Sequence, residues 1–473
     1  MQKFLDDLYY FFKTINDYLS DYVLVFLLLS VGILFTIKTR FVQVRCFKEG
    51  FVTLFGKNNK NNNQQKGVST FQAFTTAVAS QVGTGNIVGV SGAILTGGPG
   101  AIFWMWIIAF FGMATAYSEA VLAQKTRVVS EDGSFKGGPV YYIKQAFKGK
   151  FGKFLSLFFS VACVFAVGFV GGMVQANSIG ESVGSATGAP PYVIGIIISV
   201  LILLVLIGGV KRIASVTEKL VPVMAIFYIV GSIVILAFNV LKLPEAIFLI
   251  FKYAFSPQAI IGGGFGYAIK VAISQGAKRG LFSNEAGMGT TPHAHALANI
   301  ENPHKQGTVA IISVFLDTFV VLSLTALVII SSLYTSGGAL SRGVIIDGIY
   351  NTNLVSFAIK NVFGGGLTAS TISAYFIAIC LTFFAFSTII GWNLFGRINF
   401  EYLFGKKSVI VYILISVTFV FLGSFLKSNL VWQLTDFFNY LMVIPNVFAL
   451  FKLNKVVTNE LRENGPKNKK LYC

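Results

Sequence analysis

Long apolar blocks alternate with short polar, lysine-rich joints from Tyr22 to Phe451. About 20 predominantly apolar residues are what a helix needs to cross the hydrocarbon of a bilayer. The pattern predicts eleven such spans, near residues 20–38, 68–95, 100–124, 152–183, 191–209, 217–241, 264–296, 306–333, 369–396, 407–426 and 428–451. The chain therefore reads as one all-α membrane domain, with no stretch left over for a soluble catalytic domain. The first block, YVLVFLLLSVGILFTI, follows the acidic Asp17 and Asp21 and lacks a basic leader and a small-residue cleavage site. It is expected to be retained rather than removed as a signal peptide.

Two spans are interrupted. The second breaks at Gly83-Thr84-Gly85-Asn86, and the seventh, five spans later, breaks across Ser283 to Pro292, a stretch that includes Gly287, Met288 and Gly289. An odd number of spans per copy inverts the second copy, so the spacing predicts a 5+5 inverted repeat with its binding site between the halves near the midplane. The first repeat would run over 68–241 and the second over 264–451, with an extra N-terminal helix and loop at 20–66 and a tail at 452–473. Unwinding frees backbone N–H groups for an anion at one half-helix end and C=O groups for a cation at the other. A membrane tolerates such backbone only where it lines a protein cavity. Close helix packing alone would explain the glycines, but it does not call for Asn86, Asn284, Glu285 or Pro292 beside them.

Composition agrees with the pattern. Of 473 residues 55% are hydrophobic and 12% charged, with mean hydropathy +0.73, against roughly 25% charged in a soluble domain. The formal charge of +18 would suit nucleic acid, so its placement matters. If the joint after the first span is cytoplasmic, inside stretches hold 27 Lys and Arg and outside positions hold eight. That split is the positive-inside signature, with the N-terminus outside and the C-terminus cytoplasmic, and nucleic-acid binding is left without support. Cys46, Cys163, Cys380 and Cys473 are scattered, without disulfide or metal-type spacing. KNNKNNNQQK at 57–66 reads as a mobile cytoplasmic loop, and the amphipathic stretch from Tyr334 to about Gly366 as a lid over an outer entrance.

Several segments resemble one family. SQVGTGNIVGVSGAILTGGPGAIFWMW at 80–106, GMVQANSI at 172–179, RGLFSNEAGMGTTPHAHA at 279–296 and FAFSTIIGWN at 384–393 are similar to the alanine or glycine:cation symporters. These belong to the amino acid-polyamine-organocation superfamily, and the likeness runs from about residue 20 to 451. It implies a leucine-transporter-type fold and sodium-coupled amino-acid uptake across the cell (inner) membrane. TTPHAHA after GMG resembles a subgroup associated with glutamine as well as alanine.

Roles follow from what a free amino acid needs. Its carboxylate suits the amides of Gly83, Thr84, Gly85 and Asn86, and its ammonium suits carbonyls near Gly287, Met288 and Gly289. Gln175 lies in an otherwise apolar span beside small residues, where it either touches substrate or ties two helices together. Thr388 and Trp392 share a helix face with Ser387 adjacent. The hydroxyls of Ser387 and Thr388 suit sodium, unless they bond back to their own helix, and Trp392 would set pocket length. The leucine-transporter-type arrangement implies carbonyls of Ala79 and Val82 as further sodium ligands. Glu285, in the membrane near Lys278 and Arg279, is expected to form an internal salt bridge or a gate rather than to bind substrate.

The coupling ion is thus sodium, with no other cofactor, and the partners are a small neutral amino acid and membrane lipid. A monomer is compatible with the sequence, which leaves the oligomeric state open. A passive channel and a proton-coupled or exchange carrier of the same fold are the alternatives. A metalloenzyme is opposed by His293 and His295, which point roughly 200° apart on a helix and lack an HExxH spacing.

Overall fold

The computed structural model describes residues 2–56, 67–130, 133–255, 265–341, 347–426 and 428–466. The tract at 57–66, Cys473 and the end of the tail lie outside them, as do residues 342–346 of the expected lid. The described chain is helical almost throughout. A two-stranded hairpin pairs Val128–Val129 with Phe135–Lys136, and Val68 bridges to Ala298.

Eight helices are long and apolar enough to cross a membrane, and a broken pair makes a ninth, among the described residues. They are α1 (Lys3–Lys38), α5 (Gly100–Thr126), α6 (Gly149–Thr187), α8 (Gly209–Phe238), α11 (Pro303–Leu333), α13 (Leu367–Phe404), α14 (Lys406–Gly423) and α15 (Asn429–Lys452). The pair is α3 (Thr70–Gln81) and α4 (Val88–Gly97), bent by 55°. Two more of the expected spans are helical yet less clear-cut: α7 (Pro191–Ile207) has 17 residues, and α9 (Phe265–Asn284) carries Lys270, Lys278 and Arg279. Shorter helices complete the set used below: α2 (Phe47–Phe55), α10 (Pro292–Ala296) and α12 (Leu354–Val362).

Physical chemistry accounts for the layout. On α7 and α8 the exposed large side chains include Ile196, Ile197, Leu204, Val223, Ile226 and Val230, as a lipid-facing surface requires. Polar groups turn inward, where other protein groups satisfy them. A capping box starts α3: Gln72 N–H donates to Ser69 Oγ at 3.0 Å, and Ser69 N–H donates to Gln72 Oε1 at 3.0 Å, fixing the entrance to the first broken helix. Below it, Val68 N–H donates to Leu297 O and Asn299 N–H to Val68 O, so the approaches to both breaks are stitched together. The first helix extends beyond the expected 20–38, because the mixed sequence from Lys3 to Tyr18 stays helical through a π turn at Leu19–Leu24. It packs on α5 and α15, while α6 packs on α13 and α11 on α5 and α2.

Candidate functional site

At the first break, helical backbone stops at Val82 (φ −78°, ψ 89°) and Gly83 (φ −136°, ψ −151°), then makes one 3₁₀ turn over Thr84–Asn86 before α4 begins. Gly83 N–H donates to Asn86 Oδ1 at 3.0 Å, and Thr84 N–H to Gln175 Oε1 at 3.2 Å. The Gly85 N–H makes no hydrogen bond among the described residues. Thr84 Oγ1 and Gln81 Oε1 are buried without a partner, and a buried polar group left so is costly unless something else binds it. A side chain at Gly85 would press on Phe282 Cδ1 at 3.1 Å and Ser283 Cα at 3.3 Å, whereas one at Gly83 would strike Thr388 Oγ1. Close approach therefore calls for glycine at 83, and leaves at 85 only a tight fit for a larger side chain.

Thr388 on α13 donates to Ala79 O at 2.9 Å and lies 3.3 Å from Val82 O. The structure thus brings together Ala79, Val82, Gly83 to Asn86, Gln175 and Thr388. Ser387 is turned away: its Oγ donates to Phe384 O at 2.9 Å and lies 3.3 Å from Met224 Sδ. Successive helical residues point about 100° apart, so two adjacent hydroxyls cannot face the same carbonyls.

The second break is built differently from what was expected. Gly287 (φ +88°) and Gly289 (φ +82°) need left-handed backbone, which glycine adopts without strain. Gly287 N–H donates to Glu119 Oε2 at 3.2 Å, and Gly287 O accepts from Asn446 Nδ2 at 2.9 Å. Met288 N–H closes a turn onto Glu285 O at 3.0 Å, and a side chain at Gly289 would meet Asn446, Phe159 and Pro139. No hydrogen bond joins 287–289 to 83–86 among the described residues. The Gly287 carbonyl, one of those assigned to the ammonium, is thus taken up by α15, and the Gly287 amide by α5. Glu285 also departs from expectation: Ser80 (3.0 Å), Thr290 (2.6 Å) and the Trp392 indole N–H donate to it. Lys278 instead pairs with Asp17 at 3.3 Å, and Arg279 lies 3.8 Å from Asp436. A left-handed Glu285 (φ +58°) turns its carboxylate toward α3 and α13, away from the basic pair.

Three further residues gather around the first break. Asp317, in a π-helical stretch of α11, accepts from Asn86 Nδ2 (2.7 Å), Ser283 Oγ (3.0 and 2.9 Å) and Thr318 Oγ1 (2.8 Å). It is fully buried with neutral partners. An acid inside an apolar span was the available signal, since intramembrane charges mark function by default. Phe282 touches both the Gly85 side of the break and Trp392, whose ring it meets edge-on at 5.8 Å. Ser283, at the start of the second break, joins Asp317 to the end of α9, whereas no local pattern distinguished Phe282.

A cavity of about 750 Å³ approaches from one side, lined by Gly89, Glu181, Arg279, Asn351 and Trp432 among others. Residues 349–353 of the expected lid line it, and Arg279 lies over the Trp432 ring at 5.2 Å. A broken membrane-crossing helix with free polar groups at its break, beside a cavity that reaches the first turn of α4, defines the class as a polytopic membrane transporter.

Comparison with known proteins gives the family. The model of the sodium:alanine symporter family matches residues 5–471. The sodium/alanine symporter AgcS of Methanococcus maripaludis is 38% identical over 96% of this chain and 98% of that protein. The probable sodium/glutamine symporter GlnT of Bacillus subtilis is 37% identical over 95% of this chain and 89% of that protein. Among solved structures, MhsT in complex with L-phenylalanine has a TM-score of 0.59 at 16% identity, covering 82% of this chain and 90% of that one, a likeness of fold. The chain belongs to the sodium:alanine symporter family and is a sodium-coupled amino-acid symporter, not an enzyme.

Proposed function

We propose that this chain imports a small neutral amino acid, alanine or glycine with glutamine as a further candidate, together with sodium by alternating access. The observation that carries the reading is the first break, where the Gly85 N–H and the Thr84 hydroxyl are free at the start of α4. The positive end of a helix and exposed amides suit a carboxylate. The last carbonyls of α9, around Phe282 and Ser283 across from Gly85, lie at a helix end that favours positive charge, and they take the ammonium role in place of Gly287 and Met288. Phe282, backed by Trp392, bounds the side-chain end. Gln175 holds the Thr84 amide and faces the same space.

Sodium is assigned to the carbonyls of Ala79 and Val82 with the Thr388 hydroxyl, hard oxygen ligands suited to a small cation. Asp317, one hydrogen bond from Asn86, places a carboxyl group beside the break. Substrate carboxylate and sodium then neutralise each other at one place, which is how binding of one favours the other. The halves 68–241 and 264–451 form the inverted repeat of an eleven-span protein in the cell (inner) membrane. Its N-terminus is outside and its C-terminus inside, as the 27 to 8 division of basic residues supports.

Uptake of labelled alanine, glycine and glutamine into proteoliposomes, with and without an inward sodium gradient, tests the reading. Concentrative, sodium-dependent uptake is expected. Equilibration without accumulation would make the protein a channel, and accumulation driven by a proton gradient alone would make it a proton-coupled carrier.

A further inference from the structure

Away from the transport site, the joint that follows α1 meets the start of α11 in a cluster of metal-binding groups. We propose that Cys46, Glu49 and His304 form a site for a borderline-soft divalent transition metal such as zinc, on the face of the protein marked by its basic joints. One ligand atom from each residue lies within 4.8 Å of the other two, and His304 Nε2 is 3.2 Å from Glu49 Oε2. Cys46 caps α2, and Glu49 follows in its first turn, so the two project from one helix end. His304 comes from the facing helix, which packs tightly enough that a side chain at Gly50 would overlap Thr308 O and Ile312.

Sulfur, imidazole nitrogen and carboxylate oxygen make a donor set that zinc accepts, at bond lengths of about 2.0–2.3 Å. Three ligand atoms already this close need only rotamer adjustments to converge on one ion. The histidine is also prepared. His304 Nδ1 shares a 2.7 Å hydrogen bond with the Tyr117 hydroxyl, the outer partner that fixes tautomer and ring orientation in metal-bound histidines and turns Nε2 toward the ion. Cys46 and His304 are buried, while Glu49 is partly exposed and gives an ion access. A metal binding here would deprotonate the Cys46 thiol, releasing the proton to solvent. A bound ion would fasten α2 to α11, the helix that carries Asp317.

The test is zinc binding to the purified full-length protein in detergent, by competition with a chromophoric chelator, with cobalt(II) as a spectroscopic stand-in. One zinc per chain at micromolar affinity is expected, together with a thiolate-to-cobalt charge-transfer band. Cys46→Ser and His304→Gln should each weaken binding on the order of 100-fold, and Tyr117→Phe, through lost orientation, about 10-fold. Cys163→Ser, Cys380→Ser and Cys473→Ser should leave it unchanged. No charge-transfer band in the wild-type protein, or wild-type affinity in folded Cys46→Ser, would reduce the cluster to a hydrogen-bonded Glu49–His304–Tyr117 chain and overturn the proposal. The cobalt spectrum needs no variant, so it stands even if a substitution prevents folding.

Discussion

The two breaks share a sequence signature and differ in what their backbone does. At 82–87 an amide and a hydroxyl are left free, and the carbonyls of Ala79 and Val82 are met by the single hydroxyl of Thr388. At 285–291 two buried acids supply the partners: Glu119 takes the Gly287 amide, and Glu285 gathers Ser80, Thr290 and Trp392. A glycine-rich interruption is thus a binding surface only where the protein has not already satisfied it. Where acids from neighbouring helices complete it, it becomes a rigid joint, and each buried carboxylate there is held by neutral donors rather than by a cation.

This contrast can be broken in ordered steps. Gly85→Leu should leave a folded, monodisperse protein whose uptake falls about 100-fold, since overpacking and the loss of amide contacts to a carboxylate each cost on the order of 1–3 kcal/mol. Near-normal affinity for alanine in that variant would make the first break a packing feature like the second.

Asp317→Asn replaces the carboxyl group beside Asn86 with an amide of the same shape. The sodium half-saturation concentration should rise roughly 30-fold, about 2 kcal/mol, with a smaller change in substrate KM at saturating sodium. An unaltered sodium curve would assign Asp317 to helix packing alone.

Thr388→Ala should raise the sodium half-saturation about 5- to 10-fold, near the 1.4 kcal/mol of a tenfold change. Ser387→Ala, whose hydroxyl bonds back to Phe384, should shift it less than about twofold, within the few tenths of a kcal/mol that corresponds to such a factor. Equal effects from both would mean that the helix rotates when sodium binds.

Trp392→Ala should relax selection by size, admitting leucine in competition assays against glycine, alanine and glutamine, and weaken alanine about 5-fold, roughly 1 kcal/mol. An unchanged rank order would confine Trp392 to holding Glu285.

The smallest effect on transport belongs to the second break. Gly287→Ala, forced to φ +88° and pressed toward Leu28, should lower thermal stability by about 1–3 kcal/mol while KM changes less than about twofold, a few tenths of a kcal/mol. A large KM change at normal stability would return the second break to the binding site.

Much was legible in the sequence because hydrophobic runs and glycine interruptions are local. The apolar blocks, the break at Gly83-Thr84-Gly85-Asn86, the family-like segments and Thr388 could all be read in order along the chain. Asp317, Phe282 and the reach of Ser283 to Asp317 could not, because each acquires its place only when α9 and α11 pack beside the first break. The pairing of Lys278 with Asp17, rather than with Glu285 seven residues on, depends on the extra first helix folding across α9 and on the left-handed turn at Glu285. Cys46 and His304, 258 positions apart, meet because α2 lies on α11, and spacing carries no trace of that. The sequence by itself determined which stretches are apolar enough to cross a membrane and where the first broken helix stops, since those depend on transfer free energies and backbone propensities of neighbouring residues. Only the tertiary structure decided which broken backbone stays open to a ligand, because that depends on whether a carboxylate from a distant helix reaches it first.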